Sequence, residues 1–443
     1  MKITHPAALL LLLATPLDAW ADERVPVRPE EVGLSSSRLK AIDTYFREEV
    51  ERKRIAGAVV LIARHGKTAY VSAIGQSDVA AGRPMAPDTI FRIASMTKAV
   101  TSVAAMMLVE EGRLRLADPV SRYLPEFTKP VVLSKTEGGA SSGENYARVP
   151  AHREITIHDL LSHTAGLTYG RSGPPGLDEL YGKAAVADVF MPTAETMADR
   201  VKRLAALPLK FNPGVAWDYG MSTDVLGRVV EAISGRSLDE FCGERIFRPL
   251  GMKDTHFVLP AAKRDRLAAL FTSGADGSLQ PVPEAGLTAA KMTFSPAFPY
   301  AGGGKFFSGG SGLVSTAPDY ARFLQLLLSG GERDGIRLVR KDSVRRMTEN
   351  QIGDLRIPFG GHGDGFGYGL GVLTERGKSE DLASVGTFSW GGSFNTYFWV
   401  DPKNELIGIL MTQIAPFNHL TERADFKRLA YAALLEASVS EGR

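Results

Sequence analysis

The chain has 443 residues, 44% of them hydrophobic, and a formal net charge of +2 from 52 basic and 50 acidic side chains. This near balance argues against a nucleic-acid partner and against a polybasic membrane patch. The one cysteine, Cys242, excludes an intrachain disulfide, and its buried-looking helical segment predicts packing rather than nucleophilic chemistry.

The first residues have the pattern of a signal peptide. Lys2 precedes an apolar run over residues 7–13, and Ala19-Trp20-Ala21 has the small-residue spacing of a cleavage site. We therefore expect residues 1–21 to be removed and the protein to be periplasmic or secreted. The apolar run is too short to span a bilayer, so no stable membrane anchor is expected.

The elements that follow are predicted in chain order from periodicity and turn residues. Residues 33–54 predict an amphipathic helix, and residues 58–64 and 68–73 predict a hairpin around His65-Gly66-Lys67. An apolar helix follows Ser95. Residues 118–259 are mostly helical in pattern, with two segments, 134–148 and 169–182, that resemble solvent-exposed insertions.

The remaining residues predict a long loop and then a return to strands. Residues 272–312 are rich in Gly, Pro and aromatics, which argues against regular structure for much of this segment. The stretch from Phe294 to Tyr300 could close one end of a site or anchor the loop on the core. Further on, helices are predicted at 318–329, 341–350 and 420–437, and strands at 368–373, 384–390, 396–400 and 406–412. Because strands are predicted near both ends of the chain, we expect one sheet built from the N- and C-terminal segments. The middle of the chain would form a separate helical lobe.

The most informative motif is Ser-x-x-Lys at Ser95 and Lys98. Residues i and i+3 share a helix face, so the hydroxyl and the amine can meet in one pocket. Serine needs a neighbouring base to become a nucleophile, and a buried lysine can be that base or tune another. The same spacing at Ser37 and Lys40 is interpreted as the exposed start of an ordinary helix. The Ser95 segment alone also allows a helix cap with a snorkelling lysine.

Three further segments carry candidate chemistry. They are Leu-Leu-Ser-His-Thr-Ala-Gly-Leu at 160–167, Phe-Asn-Pro-Gly-Val-Ala-Trp-Asp-Tyr-Gly-Met-Ser at 211–222, and Trp-Gly-Gly-Ser at 390–393. His158 and His163 lack a metal-ligand spacing, so neither a metal nor a cofactor is expected. There is no Gly-x-Ser-x-Gly motif, which argues against an α/β-hydrolase.

Together these motifs resemble the serine hydrolases related to class C β-lactamases and DD-peptidases. They are most similar to family VIII carboxylesterases, which have Trp-Gly-Gly where the lactamases have Lys-Thr-Gly. The resemblance covers residues 33–435. It implies an α+β fold, an antiparallel sheet flanked by helices plus an all-helical domain. The hydrolase domain would be 22–443, with its α/β part at about 22–97 and 300–443 and its helical part at about 98–299.

The resemblance also implies roles for individual residues. Ser95 would be the nucleophile, Lys98 its partner and Tyr219 the general base, because a nearby ammonium favours a tyrosine phenolate. The oxyanion would be held by the backbone N–H groups of Ser95 and Ser393.

The substrate-binding residues implied by the resemblance are Trp390, Gly391, Gly392 and Met221. The glycines would let a substrate approach the strand closely, although a plain bulge would also explain them. Trp390 stands where the lactamases have a carboxylate-recognising lysine, and Met221 where they have an Asn or Ser. Both departures favour neutral esters over β-lactams.

The sequence therefore predicts a serine carboxylesterase that cleaves short-chain acyl esters of small molecules through an acyl-enzyme. Two enzymatic alternatives use the same scaffold: a β-lactamase or DD-peptidase, and an acyltransferase or amide hydrolase. The non-enzymatic alternative is an inactive module that binds peptidoglycan fragments or acylated ligands. No oligomeric state is predicted.

Overall fold

The computed structural model describes residues 26–135, 146–170, 173–174, 176–274, 277–289, 292–358, 363–417 and 419–435. The predicted signal peptide at 1–21 lies outside the described residues, as does the middle of the predicted insertion at 134–148. Within the described ranges, no helix has the length and apolar character needed to cross a membrane.

The α-helices, in chain order, are α1 (Ser36–Glu51), α2 (Thr97–Glu110), α3 (Ile157–Ser162), α4 (Leu177–Lys183), α5 (Met197–Ala205), α6 (Ser222–Ser234), α7 (Leu238–Cys242), α8 (Ala317–Leu328), α9 (Lys341–Thr348) and α10 (Glu422–Ala432). The strands are β1 (Gly57–Arg64), β2 (Lys67–Asp78), β3 (Arg83–Pro84), β4 (Phe91–Arg92), β5 (Val131–Lys135), β6 (Tyr146–Pro150), β7 (Phe271–Ser273), β8 (Leu279–Pro281), β9 (Leu287–Ala289), β10 (Met292–Phe294), β11 (Val314–Ser315), β12 (Glu332–Arg333), β13 (Ile336–Arg337), β14 (Gly365–Phe366), β15 (Gly371–Val372), β16 (Phe388–Gly391), β17 (Tyr397–Asp401) and β18 (Leu406–Met411).

An eight-stranded antiparallel sheet joins the two ends of the chain in the order β14-β15-β16-β17-β18-β1-β2-β3. The predicted hairpin is confirmed, because β1 and β2 are linked by His65 and Gly66, whose φ angles are 49° and 75°. Two successive positive φ angles give the turn whose twist matches that of the flanking strands. The union of N- and C-terminal strands predicted from the sequence is also confirmed by the pairing of β1 with β18.

Both faces of the sheet are covered, since side chains alternate between two hydrophobic clusters. Along β1, Val59 and Leu61 pack into a cluster that includes α2 and α8, whereas Val60 and Ile62 pack with α1 and α10. This alternation is the period of two expected of a strand. The sheet is thus flanked by helices on both faces, as predicted. The strands β14 to β16 at its edge lie beside segments from the middle of the chain.

The middle of the chain is helical around α2, α3, α5, α6 and α7, but it is not purely so. The hairpin β5–β6 lies within it, and the segment expected to be largely irregular contributes the short pairs β7–β8 and β9–β10. Each strand of these two pairs spans only three residues, which is too short to show a clear alternation in sequence. Cys242 is buried in α7, in line with the packing role predicted for it.

Helix α2 is the buried axis between the two parts of the molecule. Its residues from Thr97 to Leu108 are all buried, whereas α1 buries one face only. A tight 3₁₀ turn, Ala94–Met96, leads into α2. The first turn of this helix therefore places its polar side chains inside the protein, not in solvent.

Candidate active site

Ser95 lies on the strained turn that precedes α2. The residue before it, Ala94, has a φ of 44°, a left-handed conformation that is costly for any residue with a Cβ atom. Such strain often marks functional sites, where the surrounding structure imposes it. Only 6% of Ser95 is exposed, and Lys98 Nζ donates a hydrogen bond of 3.3 Å to its Oγ.

Lys98 is completely buried and is held by three oxygen acceptors. Besides Ser95 Oγ, its Nζ donates to Tyr169 Oη at 3.2 Å and to the Gly310 carbonyl at 2.9 Å. Burial by itself lowers the pKa of Lys98, but electrostatic interactions with Tyr169, Tyr219 and Asp224 outweigh burial and raise that pKa above its ordinary value. Lys98 is therefore an ammonium at neutral pH.

A buried carboxylate, Asp224, fixes the loop that holds the lysine. Its Oδ1 accepts hydrogen bonds from Ser308 Oγ and from the Gly310 amide, the latter at 3.2 Å. A Cβ atom on Gly310 would lie 2.5 Å from Asp224 Oδ2, so this approach requires glycine. Gly310 thus links the carboxylate, through its N–H, to Lys98, through its carbonyl.

Tyr219 completes the group around Lys98. Lys98 Nζ lies 4.6 Å from the centre of the Tyr219 ring, and Trp390 Nε1 donates a hydrogen bond of 3.0 Å to the Tyr219 hydroxyl. Trp217 stacks on the tyrosine at 6.1 Å. Tyr219 therefore has an indole N–H donor at its hydroxyl and a cation close to its ring.

His163 lies against Tyr219 and is not suited to be a base. Burial, followed by the charge of Lys98, lowers the pKa of His163 to about 3, so the imidazole is neutral at pH 7. Its Nδ1 accepts the Gly220 amide at 3.4 Å, which leaves Nε2 to donate to Thr223 Oγ1 at 3.3 Å. His163 therefore positions the backbone on either side of the tyrosine.

The Trp-Gly-Gly-Ser segment ends β16 next to the segment that carries Ser95. A Cβ atom on Gly392 would collide with the Ile93 carbonyl and with Thr396 Oγ1, and one on Gly391 would lie 2.6 Å from Arg423 Nη1. Both glycines are thus explained by contacts within the protein, whatever space a substrate needs.

The backbone N–H groups of Ser95 and Ser393 lie on neighbouring segments. Gly392 packs against Ile93, two residues before the serine, and Thr396 Oγ1 donates to the Ile93 carbonyl at 3.3 Å. Among the described residues, neither N–H has a hydrogen-bond acceptor. Two free donors beside a serine hydroxyl are the arrangement that would stabilise an oxyanion formed there.

The structure brings Ser95, Lys98, Tyr219 and Trp390 together, and it places the other predicted residues less directly. Trp390 is only 2% exposed, and it contacts Tyr219 through both its indole N–H and its ring. The Met221 side chain is completely buried, and its predicted contact with substrate would need the site to open.

Tyr169 is the site residue that sequence reasoning missed. The segment 169–182 resembled an exposed insertion, but this is wrong at both ends, since Tyr169 is 9% and Tyr181 1% exposed. Burial raises the pKa of Tyr169 to about 12 despite the opposing charge of Lys98, so Tyr169 is a neutral phenol at pH 7. Its closeness to the Ser-His-Thr-Ala-Gly motif was the available signal.

The aromatic loop, for which the sequence left open a role at the site or as an anchor, is anchored on the core. Phe294 and Phe298 pack with Phe190, and Phe294 also contacts Phe394, which directly follows Ser393. The loop is tied down by buried Arg92, which donates to the carbonyls of residues 296 and 298. This cluster therefore supports the Trp-Gly-Gly-Ser segment from one side.

Comparisons with known proteins give sequence relatives and structural neighbours of this chain. The family model described as Beta-lactamase matches residues 42–433. Esterase EstB of Burkholderia gladioli is 33% identical over 395 residues, covering 87% of this chain and 93% of EstB. Among solved structures, EstCE1, "a hydrolase with promiscuous acyltransferase activity", has a TM-score of 0.76 at 28% identity, covering 90% of this chain and 99% of its own. Simvastatin synthase (LovD) from Aspergillus terreus has a TM-score of 0.74 at 25% identity, covering 91% and 99%.

Proposed function

The chain belongs to the beta-lactamase family, and from this premise we propose that it is a carboxylesterase acting on short-chain acyl esters through an acyl-enzyme on Ser95. The family and its esterase relatives show that the chain is an enzyme of the serine hydrolase type. The alternative of an inactive binding module is therefore set aside. The observation that carries the proposal is the contact of Lys98 Nζ with Ser95 Oγ beside Tyr219.

In the proposed acylation step, Ser95 Oγ attacks the carbonyl carbon of the ester and its proton passes to the Tyr219 oxygen. The electrons of the carbonyl π bond move onto oxygen, where the N–H groups of Ser95 and Ser393 stabilise the charge. The bond to the alcohol then breaks, and Tyr219 returns the proton to the leaving alkoxide. The Lys98 ammonium and the Trp390 indole N–H stabilise negative charge on the Tyr219 oxygen whenever it acts as the base.

In the proposed deacylation step, water replaces the alcohol as the nucleophile. Tyr219 takes a proton from the water as its oxygen attacks the acyl carbon, and the same two N–H groups stabilise the second oxyanion. Collapse breaks the bond to Ser95 Oγ, which regains the proton. Carboxylic acid leaves, and the enzyme returns to its starting state.

The substrate class is proposed from the residue at position 390. A lysine there would offer a substrate carboxylate a charge-assisted hydrogen bond worth about 1.5–3 kcal/mol, and Trp390 cannot offer it. Met221 likewise cannot donate to the acylamido group of a β-lactam. A simple ester needs neither contact, and its alcohol leaves more easily than an amine.

Steady-state kinetics on two chromogenic substrates test this proposal. We expect kcat/KM for p-nitrophenyl butyrate to exceed that for nitrocefin by several orders of magnitude. A fluorophosphonate should leave a single adduct on the peptide containing Ser95, seen by mass spectrometry. Equal or better hydrolysis of nitrocefin would favour a lactamase, and an adduct on Ser222, Ser311 or Ser393 would contradict the mechanism.

Acyl transfer is the second candidate, and the similarity to EstCE1 and simvastatin synthase supports it. In transfer, an alcohol takes the place of water in the second step and leaves as a new ester. Adding a primary alcohol to the p-nitrophenyl butyrate assay separates the two outcomes, because the ratio of the added alcohol's butyrate ester to free butyrate gives the partition of the acyl-enzyme directly.

A further inference from the structure

Arg423 reaches from the C-terminal helix α10 to the end of strand β16. Its Nη2 donates a hydrogen bond of 2.6 Å to the Gly392 carbonyl, and its Nε donates one of 3.0 Å to Asn395 Oδ1. The guanidinium lies over the ring of Phe417 at 4.1 Å and near that of Tyr397 at 5.7 Å. A cation enclosed by aromatic rings is therefore tied to the turn that follows the Trp-Gly-Gly sequence.

The carbonyl that Arg423 holds belongs to the same peptide unit as the Ser393 N–H. Because the peptide is planar and conjugated, fixing the carbonyl also fixes the direction of the N–H. A cation bonded to the carbonyl oxygen withdraws electron density along the amide, which makes the N–H a stronger donor. Both effects bear on the donor assigned to the oxyanion.

The rest of the turn holds this peptide from its other side. The Gly392 amide donates to the Thr396 carbonyl at 2.8 Å. Asn395 has a φ of 59° and donates its own Nδ2 to buried Glu422 at 3.2 Å. The position of Gly391, where a Cβ atom would lie 2.6 Å from Arg423 Nη1, shows that the strand needs a glycine to admit the guanidinium.

We propose that Arg423 is a positioning residue for the oxyanion hole, aligning and polarising the Gly392–Ser393 peptide so that the Ser393 N–H stabilises the transition state. This inference rests on the proposed function, in which Ser95 forms the tetrahedral intermediate. Burial lowers the pKa of Arg423 to about 10, which leaves the guanidinium charged throughout the neutral range.

A purely structural role would have a different signature. A clamp that only stabilises the turn would change the melting temperature and leave transition-state binding untouched. A receptor for a substrate carboxylate would change KM for anionic substrates only. The proposed role requires loss of affinity for a tetrahedral adduct, even with a neutral ester substrate.

The test compares Arg423→Gln and Arg423→Lys with Arg428→Gln, an exposed arginine on the same helix. The readouts are kcat and KM for p-nitrophenyl butyrate and the Ki of butylboronic acid. This inhibitor accepts an electron pair from Ser95 Oγ to give an anionic tetrahedral boronate, with the serine proton released to the base. We expect Arg423→Gln to lower kcat about 10- to 100-fold with little change in KM, and to raise Ki by a similar factor. Arg423→Lys should recover part of both losses, and Arg428→Gln should match the wild type.

An unchanged boronate Ki in a folded Arg423→Gln variant would overturn the proposal, even if that variant melts at a lower temperature. If Arg423→Gln does not fold, Asn395→Gly decides, because it suits the positive φ, keeps the arginine, and removes the Nε acceptor together with the Nδ2 bond to Glu422. It should raise the boronate Ki several-fold, and an unchanged Ki would overturn the proposal. Ser95→Ala keeps the two hypotheses apart, since activity in that variant would refute the proposed function itself.

Discussion

Ser-x-x-Lys occurs twice in this chain, each time at the start of a helix, and the two copies lie in opposite environments. In the first, Ser37 and Lys40 are both exposed on α1. In the second, Ser95 is 6% exposed and Lys98 is completely enclosed. The two copies have the same residue pattern and spacing. Their different environments must therefore come from residues outside the four-residue motif.

The helices that carry the two motifs explain the contrast. Helix α1 has a regular N-cap, with Ser35 Oγ accepting the Arg38 amide, and it buries one face only. Helix α2 follows a turn with Ala94 at positive φ and is buried along most of its length. Lys98 consequently cannot reach solvent and depends on oxygen partners from distant segments. The two copies therefore differ in enclosure and not in motif, and enclosure is what sets apart the copy that we propose to be reactive.

The largest expected effect separates the two serines. Ser95→Ala should reduce kcat/KM for p-nitrophenyl butyrate by several orders of magnitude, on the order of 10⁶-fold for loss of a nucleophile. Ser37→Ala, the matched control, should leave kcat/KM unchanged. More than trace activity in purified Ser95→Ala, or a comparable loss in Ser37→Ala, would contradict the assignment.

The two lysines give the next contrast. Lys98→Met removes the buried ammonium at nearly constant volume and should lower kcat/KM by about 10²- to 10⁴-fold. Lys40→Met changes an exposed side chain and should alter the free energy of unfolding by no more than about 0.5 kcal/mol, with normal activity. Assays of both variants, with urea unfolding to verify the fold, test this. Similar activity in the two would remove the distinction between the motifs.

The tyrosines beside Lys98 sharpen the comparison within the buried motif. Tyr219→Phe should lower kcat/KM by about 10²- to 10⁴-fold, because the proposed proton acceptor is lost. Tyr169→Phe removes a hydrogen-bond acceptor of Lys98 and should cost about tenfold. The losses from Tyr219→Phe and Lys98→Met should not add in the double variant, since they act as a unit. A larger loss from Tyr169→Phe would make Tyr169 the base.

The smallest expected effect concerns the residue before each serine. Ala94→Gly relieves a positive φ and should raise the free energy of unfolding by about 0.5–1 kcal/mol. Ser36→Gly at the first position of α1 should lower it by up to about 1 kcal/mol, because glycine is a poor helix former. Thermal unfolding of both variants gives the two signs. A destabilising Ala94→Gly would show that the turn is not strained.

Much of the fold follows from local patterns. The hairpin at His65 and Gly66, helices α1, α8 and α9, and the return of C-terminal strands to the N-terminal sheet were all readable from periodicity and turn residues. The pairs β7–β8 and β9–β10 were not, because each strand spans only three residues. A pattern of period two needs more length than that to stand out.

The sequence by itself determined which chemical groups could form the site. Ser95, Lys98, Tyr219 and Trp390 each stand in a recognisable local motif, and the resemblance of those motifs to a known hydrolase family implied that they belong to one site. Spacing along a helix fixes the relation of Ser95 to Lys98 without any tertiary information.

Only the tertiary structure decided how these groups are held. Lys98 meets the Gly310 carbonyl across 212 positions of sequence and Tyr169 across 71, and Arg423 meets the Gly392 carbonyl across 31. A backbone carbonyl can accept a hydrogen bond whatever the side chain of its residue, so the type of the accepting residue does not reveal the bond. Burial of Lys98, which sets its partners and its charge, is likewise a property of the whole packed core. The physical reason is the same in each case: the acceptor is common to every residue, and only folding selects which one is near.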